Sequence, residues 1–221
     1  MLDALARALA PNASIAHGNG EAAIVEDERL LEALLDDQRA AGYARLWTNS
    51  RCLVTTRRFA RMERFAEAAA ASSARGWPVF VRASGGTTVV HRPGILNFSL
   101  YDIAPTGTVD INTRFERFTR RLTAGFAAIG VAAETGWVAG SYCDGRFNIV
   151  SVGQKIAGTA CLVRKRGGWL GVLAHAAISI DGDTDTDLTA ITEFERALGL
   201  EPRYAPDSHT NLAARIRMVP R

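Results

Sequence analysis

The sequence predicts an α+β fold, with mixed or antiparallel sheets flanked by helices. Helical periodicities alternate irregularly with runs of strands instead of recurring as regular strand–helix pairs. Beyond residue 136 the strand-like segments follow one another with only glycine turns between them. Hydrophobic residues make up 48% of the 221 and charged residues 22%, ordinary values for a globular chain that buries a core. Disorder, collagen and coiled coil are excluded. No internal repeat, low-complexity tract or long linker divides the chain.

In order, Met1 to Ala10 reads as a short amphipathic helix closed by Pro11, followed by the His17-Gly18-Asn19-Gly20 loop. Ile24, Leu30, Leu31, Leu34 and Leu35 fall at helical spacing, predicting a helix over Ile24–Arg39 that Gly42 ends. Arg45-Leu46-Trp47 and Cys52-Leu53-Val54 read as short strands around a turn at Asn49-Ser50. Met62 to Ala74, with Met62, Phe65 and Ala69 on one stripe, is a helix stopped at Gly76. Pro78 to Val81 is a buried strand; Val89-Val90 and Ile95 to Leu100 are further strands around the Pro93-Gly94 turn. Asn112 to Ile129 is a long helix with Phe115, Phe118, Leu122 and Phe126 on one face. Its Arg114, Arg117, Arg120 and Arg121 predict a solvated opposite face. Strands follow at Phe147–Val150, Lys155–Ala157, Ala160–Arg164 and Trp169–Ile180, then helices at Asp187–Leu198 and Asn211–Arg217.

Charge and cysteine content narrow the function classes. Twenty-six basic residues against 23 acidic give +3, too little over this length to predict a nucleic-acid binder, though suited to an acidic partner or anionic substrate. Cys52, Cys143 and Cys161 are odd in number and form no CxxC, which argues against a disulfide framework or zinc ribbon and for a reduced, cytoplasmic protein. The N-terminus lacks a secretory h-region, and the longest apolar run contains His175 and glycine, so no membrane span is expected. Asp181 to Asp187 fails the calcium-loop pattern at its sixth and twelfth positions, Thr186 and Thr192. It reads as a turn capping the next helix, and no metal site is expected.

Three stretches carry candidate chemistry. Arg82-Ala83-Ser84-Gly85-Gly86-Thr87-Thr88-Val89-Val90-His91 ends a strand in arginine and follows it with two glycines, which let backbone N–H groups approach a carboxylate or phosphate. It matches neither GxxxxGK[ST] nor GxGxxG. Gly140 to Ile149 places Cys143 in a glycine-flanked turn beside Arg146, where access and a nearby cation favour a thiolate. Val152 to Ala160 holds Lys155, one of only two lysines, among apolar and small residues, where it can serve as a compact point charge. Taken singly, the same stretches also fit a hairpin turn, a packed histidine, an inert thiol and a snorkelling edge lysine.

In order and spacing they resemble the biotin/lipoate protein ligase catalytic family, which includes lipoate–protein ligases and octanoyl or lipoyl transferases. The resemblance runs from Glu28-Arg29-Leu30-Leu31 to about Leu198. Arg82 to His91 with Pro93-Gly94-Ile95-Leu96-Asn97-Phe98-Ser99 is similar to the family's arginine–Ser-Gly-Gly–His–Gly-x-Leu-Asn signature. Gly153-Gln154-Lys155-Ile156-Ala157-Gly158-Thr159-Ala160 is similar to its Gly-x-Lys-Ile-x-Gly-Ser/Thr-Ala signature. The chain departs at Thr87, where many ligases have a third glycine, and at Cys161, where related transferases often have glutamine.

The resemblance implies a single catalytic domain over residues 1–221 with its core at about 22–200, and an acyl pocket. Arg82, Ser84, Gly85, Gly86, Thr87, His91, Asn97, Gly158, Thr159, Ala160 and His175 would bind substrate, and Lys155 would point at the acyl carbonyl. The Ser141 to Phe147 stretch looks like the cysteine loop of cysteine-dependent octanoyl transferases. Cys143 is then the catalytic nucleophile with Lys155 beside it, Cys161 a reserve and Cys52 core. The implied reaction passes an octanoyl or lipoyl group through a Cys143 thioester to a lysine of a lipoyl-carrier domain, of the glycine cleavage H protein or 2-oxoacid dehydrogenase E2 type. Besides the acyl donor this transfer requires no cofactor. One alternative is a lipoate–protein ligase using ATP and Mg through an acyl-adenylate; another is a non-catalytic protein that binds lipoyl groups or carriers. The helix arginines 114, 117, 120 and 121 are candidates for meeting an acidic carrier.

Overall fold

The computed structural model of the chain describes residues 1–39, 41–108, 110–143 and 145–217. In chain order the elements are α1 (Leu2–Leu9), β1 (Ile15–His17), α2 (Glu21–Asp36), β2 (Ala41–Thr48), β3 (Cys52–Thr56), α3 (Arg57–Ala60), α4 (Phe65–Ala74), β4 (Val79–Arg82), β5 (Val89–His91) and β6 (Ile95–Pro105). Then come α5 (Ile111–Ala128), β7 (Glu134–Gly136), β8 (Asn148–Ser151), β9 (Gln154–Arg166), β10 (Trp169–Ser179), α6 (Thr184–Ala197), a 3₁₀ turn at Pro206–Ser208 and α7 (Leu212–Arg217).

The strands form two sheets, as the α+β pattern predicts. Seven lie in the order β1-β2-β6-β10-β9-β8-β7 and three in the order β4-β3-β5. Pairing is antiparallel except for β1 with β2 and β3 with β4. One face of the large sheet is sealed by α1 and α5. Leu5 and Leu9 of α1, Phe118, Leu122 and Phe126 of α5, and Leu46, Phe98 and Ala176 of the strands share one buried cluster, and Phe98 stacks on Phe118 at 5.4 Å. Alternation along the strands then sends Trp47, Ser99, Tyr101 and His175 to the other face, towards α2 and the small sheet.

Three expectations are corrected by packing. Gly42 does not end α2, which stops at Asp36; Gln38 takes the left-handed turn at φ +49°, and Gly42 lies within β2. The strands on either side of Asn49-Ser50 form as expected, β2 in the large sheet and β3 in the small one. The helix expected from Met62 starts at Phe65, behind the separate turn α3. Gly158 breaks nothing, since β9 runs unbroken from Gln154 to Arg166.

The face of α5 is not uniformly solvated either. Arg114 is only 3% exposed, beneath the helix, where it donates to the Asp102 carbonyl at 3.1 Å. Arg121 donates to Leu9 O at 2.6 Å, tying α5 to α1. Arg117 and Arg120 remain exposed. All four lie on the helix that covers the large sheet's α1 side, behind the cavity described next.

Candidate active site

A narrow cavity of about 50 Å³ lies between the sheets. The large sheet supplies its floor in three cross-strand rows. Trp47, Ala177 and Gly158 form the first, His175 and Ala160 the second, and Leu173 and Leu162 the third. Val54, Val89, Arg82 and His91 of the small sheet form one wall, and Ile24, Asp27 and Glu28 of α2 close it. Cys143 stands on the lining beside Arg82 and the first row.

Arg82 is built in as a clamp. It ends β4 and is 7% exposed, donating to Val54 O at 2.8 Å and, around the following turn, to Gly85 O at 3.0 Å and Thr87 O at 2.8 Å. Gly86 sits in that turn at φ +103°, and a Cβ there would stand 2.6 Å from Cys143 Sγ and 3.0 Å from an Arg82 nitrogen. Both backbone conformation and space demand glycine. The backbone approach read from the glycine pair is therefore an approach to a thiol of the same chain. The turn is held from outside by Glu195, buried on α6, which accepts from Thr88 N at 3.4 Å and from Tyr204 OH at 2.6 Å.

Cys143 arrives on the loop between β7 and β8, itself left-handed at φ +48°. Its Sγ accepts from the Thr87 N–H at 3.4 Å. Burial resists ionisation most strongly, but the Lys155 and Arg82 charges and the Thr87 hydrogen bond outweigh it, holding the thiol below its ordinary 9.0. Cys52, buried with no such neighbours, is pushed up to about 12. Cys161 is raised by burial and packs against the α1–α5 core on the far face of the sheet. Of the three cysteines, only Cys143 is in the cavity.

Lys155 is 3% exposed on β9, and its Nζ grips the loop that carries the thiol. It donates to Tyr142 O and to Cys143 O, the latter at 3.2 Å, and lies 4.5 Å from the Tyr142 ring centroid. A Cβ at Gly158 would press on Lys155 Cε and Nζ at 3.3 Å, so this glycine gives the lysine room within a continuous strand. Asn148 donates to Cys143 O at 3.0 Å and accepts from Thr159 N at 3.2 Å. His209, brought in after the 3₁₀ turn, stacks on Tyr142 at 4.4 Å and accepts from Tyr142 N at 3.3 Å. Asn148 and His209 belong to neither motif. Asn148 falls within the Gly140–Ile149 stretch without being singled out there, and nothing in the local sequence marks His209, because these contacts form only in the fold.

The other expected residues are distributed around this centre. Ser84 hydrogen-bonds His175 at 2.8 Å across the cavity, while His91 on β5 packs edge-on against Trp47 at 5.3 Å. Burial, with the Arg82 charge nearby, depresses both histidines to about 3, so they are neutral. Ala160 and Gly158 line the cavity floor, whereas the Thr159 hydroxyl turns to Phe147 O at 2.8 Å. Asn97 is buried in the Trp47–Ala177 row but outside the lining, with Nδ2 unpartnered among the described residues. Gly85 contributes its carbonyl to Arg82. Asp144, within the cysteine loop, lies outside the described residues. Among the described residues there is no cluster of three or more metal-ligating side chains, and no helix is long and apolar enough to cross a membrane.

Residues 21–216 match the model of the lipoyl protein ligase A/B catalytic domain. An octanoyl-GcvH:protein N-octanoyltransferase of Kyrpidia tusciae is 34% identical over 168 residues, covering 72% of this chain and 57% of that protein. One of Anoxybacillus flavithermus is 31% identical over 176 residues, covering 79% and 62%. The chain thus spans about three fifths of the length of these relatives. In three dimensions it is similar to lipoate-protein ligase A bound with ATP, with a TM-score of 0.73 at 19% identity, covering 94% of this chain and 78% of the other. This chain belongs to the lipoyl protein ligase A/B catalytic-domain family.

Proposed function

We propose that this family member is an acyltransferase that moves an octanoyl or lipoyl group from one carrier protein to the lysine of another through a thioester on Cys143. The observation that carries the reading is the Cys143 thiol, lowered by Arg82, Lys155 and the Thr87 N–H at the lining of an apolar cavity. The names of the two transferase relatives agree with it.

With an octanoyl-lysine donor of the GcvH type, the thiolate attacks the amide carbonyl. The C–N bond breaks, and the departing amine leaves with a proton from water. In the second half the acceptor lysine attacks the thioester, the C–S bond breaks, the thiolate returns and the amine's surplus proton passes to water. Charge developing on the acyl oxygen is offset by the nearby Arg82 and Lys155 charges, which are held in place by the backbone carbonyls they donate to. Since each step exchanges one acyl bond for another, neither ATP nor Mg is needed.

The lining rows match a medium-chain acyl group in length, and the 50 Å³ cavity must widen for the chain to enter. From the first row at Gly158 to the third at Leu162 is four residues of strand, about 13 Å. An extended eight-carbon chain, seven C–C bonds of about 1.5 Å in zigzag, reaches about 9 Å from its carbonyl carbon to its terminal methyl. Leu162 and Leu173 then meet its end. Leu173→Phe is expected to slow octanoyl transfer by about tenfold to a hundredfold while leaving hexanoyl transfer within a few-fold, since each methylene in an apolar pocket is worth about 1–3 kcal/mol. Rates with octanoyl and hexanoyl donors measure it, and equal loss on both would remove Leu173 from the chain-length role.

The functional test mixes the protein with octanoylated GcvH and an unmodified lipoyl domain, without ATP, and follows the acceptor's intact mass. A thioester lies uphill of an amide, so the acceptor, and not the enzyme adduct, is the informative species. An octanoylated acceptor is expected. Acylation only after adding ATP, Mg and free octanoate would assign a ligase instead. Silence in both, with acyl binding retained, would leave a lipoyl-binding protein.

A further inference from the structure

We infer that His209, outside every motif that marks this site, is a positioning residue whose Nε2 acceptor holds the Tyr142–Cys143 backbone in its left-handed turn and so sets the reactivity of the Cys143 thiol. The inference rests on the thioester reading above for its catalytic meaning, but its geometry and its test do not.

A non-glycine residue at φ +48° costs about 1–2 kcal/mol and persists only where its surroundings dictate it. Here the constraint is visible bond by bond. Asn148 and Lys155 hold Cys143 O from the β8–β9 side. Lys155 also holds Tyr142 O. The remaining backbone group of Tyr142, its N–H, is satisfied among the described residues from the opposite side, by His209 Nε2 at 3.3 Å, with the two rings stacked at an interplanar angle of 14°.

The imidazole is itself fixed. Ser208 Oγ lies 2.9 Å from Nδ1 and donates its single proton to a carbonyl, at 2.6 Å to Ala205 O or 3.1 Å to Gly140 O. Nδ1 therefore carries the ring proton and Nε2 is the acceptor; the tautomer is assigned by this network. Thr210 N bonds Lys155 O at 2.9 Å and Ala205 N bonds Gly140 O at 2.9 Å, so residues 205–210 are laced to β9 and to the start of the cysteine loop. The segment after α6 thus closes a ring of bonds around the nucleophile. Loss of the Nε2 acceptor leaves a buried N–H unpaired and frees the turn to relax. Sγ then leaves the Thr87 N–H and the two cations.

The test compares His209→Leu with His209→Gln, whose Oε1 can replace Nε2 as acceptor. The readout is the rate of iodoacetamide alkylation of Cys143 against pH, followed by peptide mass so that Cys52 and Cys161 do not interfere. The wild-type inflection is expected below 9.0. In His209→Leu it moves up towards that value, and alkylation at pH 7 slows by about tenfold as the thiolate population falls. His209→Gln returns it to within about threefold. Wild-type alkylation in the leucine variant, or a glutamine variant as slow as leucine, would overturn the assignment. Should His209→Leu fail to fold, Ser208→Ala, which frees Nδ1, carries the same expectation at about threefold. Transfer persisting in Cys143→Ser would defeat the thioester reading and leave the alkylation result standing.

Discussion

Cys143→Ser is expected to reduce carrier-to-carrier transfer at least a thousandfold while the fold and acyl binding persist. Serine is nearly isosteric, so the turn at Gly86 is not crowded. The hydroxyl, however, stays protonated beside Arg82, Lys155 and one N–H, whereas the same groups already hold the thiol below its ordinary 9.0. Removing a nucleophile removes most of the chemistry while binding remains, so the loss appears in kcat more than in KM. Steady-state transfer with octanoylated GcvH as donor measures it. A variant within tenfold of wild type would end the thioester mechanism. Cys161→Ala, on the far face of the sheet, is the control and is expected to transfer normally.

Much of this centre was legible in the chain, for reasons that differ from residue to residue. Gly86 was readable because a Ser-Gly-Gly turn after a strand signals backbone approach, and the approach is there, although what comes close is the chain's own sulfur. Lys155 was readable because a solitary lysine among apolar residues must be neutralised or used, and it is 3% exposed against two carbonyls. Gly158 misled, since local sequence cannot distinguish a glycine that turns the chain from one that makes room for a neighbouring side chain. Arg114 misled for a similar reason. Its helical position suggested solvent, but a guanidinium long enough to reach Asp102 can be buried under its own helix. His209 was silent because its partner lies 67 residues away, and no periodicity or motif encodes that meeting.

Three of the chain's four histidines are buried as neutral rings, and this predicts a protein that loses stability well above the usual acid range. His91, His175 and His209 are each depressed to about 3, burial being the main cause and the Arg82 or Lys155 charge the next. In the unfolded chain each titrates near 6.5. Folded pKa values below unfolded ones mean that the stabilisation is complete above about pH 6.5 and is lost as pH falls towards 3, because the unfolded chain takes up protons that the native rings refuse. Each ring costs about 1.4 kcal/mol per pH unit in that window, so at pH 5.5 the three together remove about 4 kcal/mol, a large share of a typical 5–15 kcal/mol. Asp27, Asp187 and Glu195 oppose this trend, since burial raises their folded pKa values and the native state takes up these protons as pH falls through them. Thermal unfolding at pH 7.5, 6.5 and 5.5 is therefore expected to show little change in Tm over the first step and a steep fall over the second. Replacing His91 with phenylalanine, which keeps an aromatic edge for Trp47, is expected to remove about a third of that dependence. A Tm that is flat from 7.5 to 5.5 would mean that these rings are not held neutral, and the protonated form would then have to be accommodated between Arg82 and Lys155. The same three residues frame the cavity and the cysteine loop, so the chemistry that keeps the site dry and the thiol low is also what makes the fold sensitive to acid.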